Sequence, residues 1–363
     1  MRSGLENIVV AETVLSDVDG LSGKLIIRGR SLDNLVPHTS FEDCIELLWD
    51  GLFDDLPKGE ELQRALGEAR AQIFHHTDAI DDVLLELPPI EVVRALMARI
   101  PDGDDLTAAL YMVAAPAVFT PAIMRMKRGR QMLSPDPSLP HSVDFLRMMN
   151  VRMPEEIDVQ ALNSYLVSVS DHGLNASTFA ARVVASTQAG MTSSILAAIG
   201  ALKGPLHGGA PAPVLDMLDA IGNAKNAEVW LDRAVSKGER LMGFGHRIYR
   251  IRDPRADVIK AALHRIIECK NANKDRLHLA EAVETAAIAV LNKHKPERML
   301  STNVEYYTAL LLEQLDIPRA AFTSVFAMGR TLGWVAHCRE QIKENKLIRP
   351  QSIYVGPKLD TAT

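Results

Sequence analysis

The chain has 363 residues and 39.8 kDa, longer than one compact core usually grows, so two domains or a large domain with an inserted lobe are expected. Hydrophobic residues make up 47% and charged residues 24%, which excludes disordered, collagen-like and mucin-like chains. The formal net charge of −6 excludes a global cationic field for nucleic acid or anionic lipid, though not a local basic pocket.

The N-terminus, MRSGLENIVVAE, meets Glu6 before an apolar core forms and is not read as a secretory signal. IVVAETVL (8–15) and KLIIRGR (24–30) are rich in β-branched residues and flank Asp19-Gly20, so they predict a strand pair. The pattern is helical from there nearly to the end. Ser40 with Asp43 resembles a capping box ahead of FEDCIELLWDGLF. Pro57-Lys58-Gly59 opens a second helix, and Pro88-Pro89 precedes a third. The apolar stretch from Ala108 to Phe119 is expected to break at Pro116 and is too short to span a bilayer of roughly 30 Å. The Pro- and Ser-rich segment 134–142 is expected to be a loop.

Two places read as hinges, Gly208-Gly209 and Asp316-Ile317-Pro318. Between them Val214, Met217, Leu218 and Ile221 make one apolar helix face. Phe322, Val325 and Phe326 repeat that face after the second hinge. A large helical domain (1–208 and 319–363) with an inserted small helical domain (209–318) follows. The tail, LIRPQSIYVGP, is extended and is expected to lie on its own domain or on a second subunit.

Cys44, Cys269 and Cys338 share no short spacing, which excludes a disulfide framework or a cysteine-built zinc site. They read as buried thiols in a reducing cytoplasm. No P-loop, G-x-S-x-G or H-E-x-x-H occurs, and Gly243-Phe244-Gly245 lacks the third glycine and the βαβ setting of a dinucleotide site.

Several segments could carry chemistry. In KGPLHGGAPAPVLDML (203–218), His207 sits among glycines before a helix start, where positive potential favours a neutral imidazole able to donate to an enolate oxygen. A loop histidine bonded to nearby backbone would look the same. GERLMGFGHRIYRIRDPRAD (238–257) packs His246, Arg247, Arg250, Arg252 and Arg255 within ten residues. Such cations repel unless anions meet them, and carboxylate or phosphate are natural partners. A solvated loop paired with Glu239, Asp253 and Asp257 is the alternative. In STNVEYYTALLL (301–312), Glu305 starts an apolar helix, as a charge suited to the dipole or as a base with raised pKa. Arg330 lies on an apolar helix and needs an anion. His172 is followed by small residues, and Arg349 precedes Pro350 in the tail. The RMKRGR run (125–130) reads as a solvated face.

Taken in order, RGRSL, SDHGLNASTFAARVV, GPLHGG, MGFGHRIYRIRDPRA, TNVEYY, FAMGRTLGWVAH and IRPQSIYVG resemble the citrate synthase family, in its shorter bacterial and archaeal form. The resemblance implies an all-α fold with a small N-terminal β-hairpin, and a cytoplasmic homodimer that closes on substrate. It implies condensation of acetyl-CoA with oxaloacetate to citryl-CoA and hydrolysis to citrate and CoA, with acetyl-CoA as co-substrate and no cofactor or metal. It implies no nucleic acid and no membrane partner. By position, His207 is similar to the residue that bonds the acetyl carbonyl, His246 to the donor on the oxaloacetate ketone, and Glu305 to the base for the acetyl methyl. His172, Arg255 and Arg330 resemble oxaloacetate ligands, and Arg349 the arginine that enters the partner's site. Arg250 resembles a CoA phosphate contact, with the backbone of Leu241, Gly243 and Gly245 near the adenine.

The chain departs from the family pattern in three places. Glu305 stands where most members have aspartate, GGAPAP replaces the commoner GGANE, and RPQS replaces RPR in the tail. A 2-methylcitrate synthase using propionyl-CoA is the near alternative, since one methylene in a pocket is worth only about 1–3 kcal/mol. A weakly active paralogue that binds or assembles is the third.

Overall fold

The computed structural model describes residue 5 and residues 8–207, 212–246, 248–249, 251–272, 274–298 and 300–357. The Gly208-Gly209 hinge, Pro211, Arg247 and Arg250 lie outside the described residues. A three-stranded antiparallel sheet, β1 (Ser16–Asp19), β2 (Lys24–Ile27) and β3 (Arg30–Ser31), opens the chain. Among the described residues, α-helices then follow to the tail. They are α1 (Leu32–Leu35), α2 (Phe41–Trp49), α3 (Glu60–Ile73), α4 (Asp82–Glu86), α5 (Pro89–Met97), α6 (Leu106–Met126), α7 (His141–Asn150) and α8 (Glu156–Val169). After them come α9 (Ala176–Ala185), α10 (Met191–Leu202), α11 (Ala212–Ile221), α12 (Ala227–Ser236), α13 (Pro254–Cys269), α14 (Asp275–His294), α15 (Val304–Gln314) and α16 (Phe322–Glu344). The fold is all-α with a small N-terminal hairpin.

Local chemistry explains most boundaries. Ser40 and Asp43 form the reciprocal capping box on α2. Gly59, at φ 53°, starts α3. The first strand is later than its β-branched residues suggest. Ile8 to Leu15 form no strand, and Val9 and Val14 are exposed. The turn decides the register instead. The Asp19 carboxylate accepts from the backbone of Leu21 and Ser22, both at 3.0 Å, so pairing starts at Asp19 with Lys24.

Pro116 does not break its helix. α6 runs through both Pro116 and Pro121, almost entirely buried. Each proline removes one helical hydrogen bond, and packing against α3, α5, α7 and α16 offsets that loss. α6 is long and apolar enough to cross a membrane, but most of it is buried inside the fold. α16 is the second central helix, packed on α2, α6, α8, α9 and α10. Segment 134–140 is a loop as expected, but α7 already starts at His141.

α11, α12, α14 and α15 pack among themselves, while α13 touches both α15 and α8. The expected apolar face of α11 is buried at Val214, Met217, Leu218 and Ile221. Asp316 turns the chain at φ 59° between α15 and α16. No two cysteines pair among the described residues; Cys44 and Cys338 are buried, whereas Cys269 is exposed, against the expectation of three buried thiols. It ends α13 beside exposed Glu268, past the buried Ile266 and Ile267.

Candidate active site

Three segments converge beside α16. The first is the loop between α8 and α9. It carries His172, which is buried, and ends at Asn175, whose Oδ1 caps α9 by accepting from Ser177 N and Thr178 N, both at 3.1 Å. The Ser177 hydroxyl donates to Asn175 Oδ1 (2.7 Å), accepts from Trp334 Nε1 (3.2 Å) and lies 2.8 Å from His207 Nε2. His207 is thus seated on the start of α9, at Ser177, which follows His172 by five residues.

The second segment runs from Leu241 to Arg255. His246 Nδ1 accepts from Ile248 N (3.1 Å) and Tyr249 N (3.2 Å). A neutral ring with Nδ1 occupied as acceptor carries its proton on Nε2. Burial, then the neighbouring Arg255, push the His246 pKa down to about 4, so the ring is neutral at pH 7. Its Nε2 faces Arg255 Nη2 at 3.4 Å. Two donors this close can share one acceptor placed beside them. The His172 ring sits edge-on to His246, centroids 5.3 Å apart. Burial, then Arg255 and Arg330, hold His172 well below the ordinary histidine range. Its Nε2 is 3.1 Å from the Tyr249 hydroxyl.

Arg255 begins α13 and is buried. Burial presses it towards neutrality, but its pair with Asp253 (2.8 Å) outweighs that and raises its pKa. Arg330 on α16 is also buried, and its Nε donates to the Val169 carbonyl. No ion pair to a described carboxylate forms at Arg330. Burial, then repulsion from Arg255, lower its pKa to about 10. Two buried guanidiniums and two neutral imidazoles make a site for an acid with several carboxylates.

The third segment carries Glu305, on the first turn of α15, where Asn303 Oδ1 accepts from Glu305 N (3.0 Å). Burial raises the Glu305 pKa, opposed by Arg240 and Arg255. Burial raises the Tyr165 pKa, with smaller influences from Arg330, Glu305 and Arg255. The structure sets His172 against His246 and His246 against Arg255, ties the start of the Glu305 helix to Asp253 beside Arg255, and links His207 to the α8–α9 loop through Ser177.

The remaining expected residues divide. Leu241 is buried, and Gly243 and Gly245 lie at φ 84° and 81°. A Cβ on Gly243 would stand 2.7 Å from the Tyr306 ring, so packing on α15 already demands glycine there. Gly243 O accepts from Asn303 N (2.9 Å), and Gly245 N donates to Ser301 O (2.8 Å). This loop and the start of α15 are one unit. Arg252 is paired with Asp257 and half exposed, a solvated partner rather than a member of the cluster. Arg349 is exposed on the tail, which is tied down by Ile348 N donating to Ser186 Oγ (3.1 Å). In the RMKRGR run, Arg125 is buried, with Nε donating to Gln131 O (2.6 Å), unlike its solvated neighbours.

Sequence reasoning missed Tyr249, Tyr165 and Arg240. Tyr249 lies three residues after His246, where a phenol reads as ordinary core. An open pocket of about 710 Å³, lined by residues including Arg28, His38, Asp43 and Lys58, shares no residue with the cluster. Among the described residues, no group of three or more His, Cys, Asp or Glu side chains is placed to hold a metal ion.

Residues 4–351 match the family model described as citrate synthase, C-terminal domain. The chain is 35% identical to citrate synthase from Haloferax volcanii, covering 99% of this chain and 96% of that one. It is 37% identical to 2-methylcitrate synthase from Mycobacterium tuberculosis, covering 98% and 91%. The citrate synthase of Thermoplasma acidophilum, solved as a ternary complex with carboxymethyl coenzyme A and oxaloacetate, superimposes with a TM-score of 0.83 at 28% identity, covering 99% of this chain and 97% of that one. Matches of this length, with the motif residues gathered beside one central helix, mean that the chain belongs to the citrate synthase family.

Proposed function

We propose that this chain condenses acetyl-CoA with oxaloacetate and water to give citrate and CoA, as a cytoplasmic homodimer. Membership of the family makes it an acyltransferase of the citrate-synthase type acting on an acyl-CoA and oxaloacetate; the acetyl group and the residue roles are the proposal. The observation that carries it is the pairing of Arg255 and Arg330, both buried, around neutral His172 and His246. Oxaloacetate supplies two carboxylates and a ketone, the acceptors this donor set lacks.

Glu305 takes the proton from the acetyl methyl, and its raised pKa makes it a stronger base than an exposed glutamate. His207 bonds the thioester oxygen as the enol forms. The new carbon–carbon bond joins the methyl carbon to the ketone carbon, whose oxygen receives a hydrogen bond and then the proton from His246 Nε2. Water then cleaves the thioester and releases CoA. Residues 209–318, the small domain, close on residues 1–208 and 319–363, the large domain, and exclude water until the bond is made. The backbone of Leu241, Gly243 and Gly245 meets the adenine of CoA, Arg250 is assigned to a CoA phosphate by its motif alone, and Arg349 reaches the partner's site.

The 37% identity to a 2-methylcitrate synthase, beside 35% to a citrate synthase, keeps propionyl-CoA as a second donor. Release of CoA thiol from each acyl-CoA with oxaloacetate tests both. Faster turnover of propionyl-CoA would replace the first reading with the second. No thiol from either, by folded protein, would leave only a binding or assembly role.

A further inference from the structure

The N-terminal hairpin touches both loops that carry the imidazoles. At its base the Ser16 hydroxyl donates to Asp171 Oδ2 (2.5 Å) and accepts from Gly173 N (3.0 Å), bracketing His172 on either side. Its tip packs on the other loop. A Cβ on Gly20 would stand 2.3 Å from the Ile248 carbonyl oxygen and 2.7 Å from its carbon, and one on Gly23 would stand 3.0 Å from the Arg252 carbonyl oxygen. Those are backbone atoms, so only a shift of segment 248–252 or of the hairpin could make room. That segment also supplies the two amides that fix His246 Nδ1 and the Tyr249 hydroxyl beside His172. The tip is itself fixed by the Asp19 carboxylate on Leu21 N and Ser22 N.

We infer that the hairpin is a positioning brace for the oxaloacetate pocket. Ser16 sets the His172 loop, and the bare backbone at Gly20 sets how near the His246 loop approaches it. This rests on reading the cluster as that pocket. A merely structural hairpin would affect melting but not the affinity for one substrate over the other.

The test uses full-length Gly20→Ala, Ser16→Ala and Ser16→Thr. Oxaloacetate Kd is measured by calorimetry, and KM for oxaloacetate and for acetyl-CoA by CoA release. Displacement by a fraction of an ångström to 1 Å predicts about tenfold or more weaker oxaloacetate binding for Gly20→Ala and Ser16→Ala. KM for acetyl-CoA should rise less than KM for oxaloacetate, and Ser16→Thr, which keeps a hydroxyl, should restore affinity. Unchanged oxaloacetate Kd in folded Gly20→Ala or Ser16→Ala overturns the brace, as does an equal rise in both KM values. If Gly20→Ala does not fold, the Ser16 pair decides. A wild type that binds oxaloacetate without turnover overturns the reaction but leaves the Kd comparison valid. A wild type that does not bind it overturns both.

Discussion

Asp253 grips Arg255 at two points, Nε to Oδ1 at 2.9 Å and Nη2 to Oδ2 at 2.8 Å, and the same Oδ2 accepts from Val304 N at 3.1 Å. One buried carboxylate therefore holds both the arginine of the cluster and the start of the helix carrying Glu305. Burial works against its charge, yet Arg255 keeps it below the ordinary aspartate range. Asp253→Asn keeps the shape and deletes the charge. Breaking a buried pair from one side costs about 3–5 kcal/mol. We expect a clear fall in Tm, measured by circular dichroism, with weaker oxaloacetate binding; an unchanged Tm would contradict the pairing.

Glu305→Gln should separate chemistry from stability. Loss of a general base typically costs about 10²–10⁴ in rate, so turnover should fall by that order while oxaloacetate binding is largely kept. The stability change has the opposite sign. The folded pKa of Glu305 lies above its ordinary 4.5, so its contribution is favourable at low pH and is lost as pH rises through the folded value. At pH 7 the buried charge is a cost, and Glu305→Gln should melt higher than wild type. Normal turnover would remove Glu305 as the base.

His246 gives a pH window. Its pKa falls from 6.5 to about 4 on folding, so the unfolded chain binds the proton first. Stability is complete above the unfolded value and declines as pH drops from 6.5 towards 4. Between pH 7 and 5 the loss from this ring is about 2 kcal/mol. Urea unfolding of wild type and His246→Gln at both pH values measures it. The variant should show a smaller drop, and an identical drop would place the titration elsewhere.

Arg330 pairs with no carboxylate among the described residues, and burial and Arg255 lower its pKa to about 10. Its charge is poorly accommodated until an anion arrives. Arg330→Leu should change the unliganded Tm little, since relief of repulsion offsets the lost bond to Val169. Charge-assisted hydrogen bonds contribute about 1.5–3 kcal/mol each, so loss of one or two predicts oxaloacetate binding about 10²-fold weaker. In wild type, ligand at 100 times its Kd adds about 2.7 kcal/mol of stability. The variant should lose most of that shift at the same oxaloacetate concentration, and a full shift would take Arg330 out of the pocket.

What could be read from the sequence was local. The Ser40–Asp43 cap, the α11 face and the glycine-flanked histidines are contiguous signals, and His172, His246 and Arg255, singled out from separate motifs, lie side by side. What could not be read depends on contacts between distant segments. Nothing near Ser16 or Gly20 points to residues 171–173 or 248, and nothing near Tyr249 points to His172. Pro116 misleads because a buried helix can lose a backbone bond when tertiary packing surrounds it. Residues 8–15 mislead because β-branched composition is a weaker constraint than the Asp19 turn.

Glu284 supports Glu305, the proposed base, from α14. Its carboxylate accepts from Thr302 Oγ1 (2.6 Å), from the Tyr307 hydroxyl and from Lys260 Nζ (3.1 Å). Thr302 precedes Glu305 by three residues and Tyr307 follows it by two, so α14 clamps the start of α15 on both sides. Thr302 also bridges Phe244 in the glycine loop. These bonds outweigh burial and keep Glu284 below the ordinary glutamate range. Glu284→Ala leaves the Thr302 and Tyr307 hydroxyls without their acceptor, each at about 1–3 kcal/mol where buried, while Lys260 keeps Glu281. We expect a lower Tm and a severalfold fall in kcat, larger than any change in KM for oxaloacetate, because the clamp acts first on the start of α15 and the glycine loop. Glu284→Gln, which keeps an acceptor oxygen, should recover part of kcat. A fall in oxaloacetate affinity without change in kcat would show that α14 supports the other half of the site.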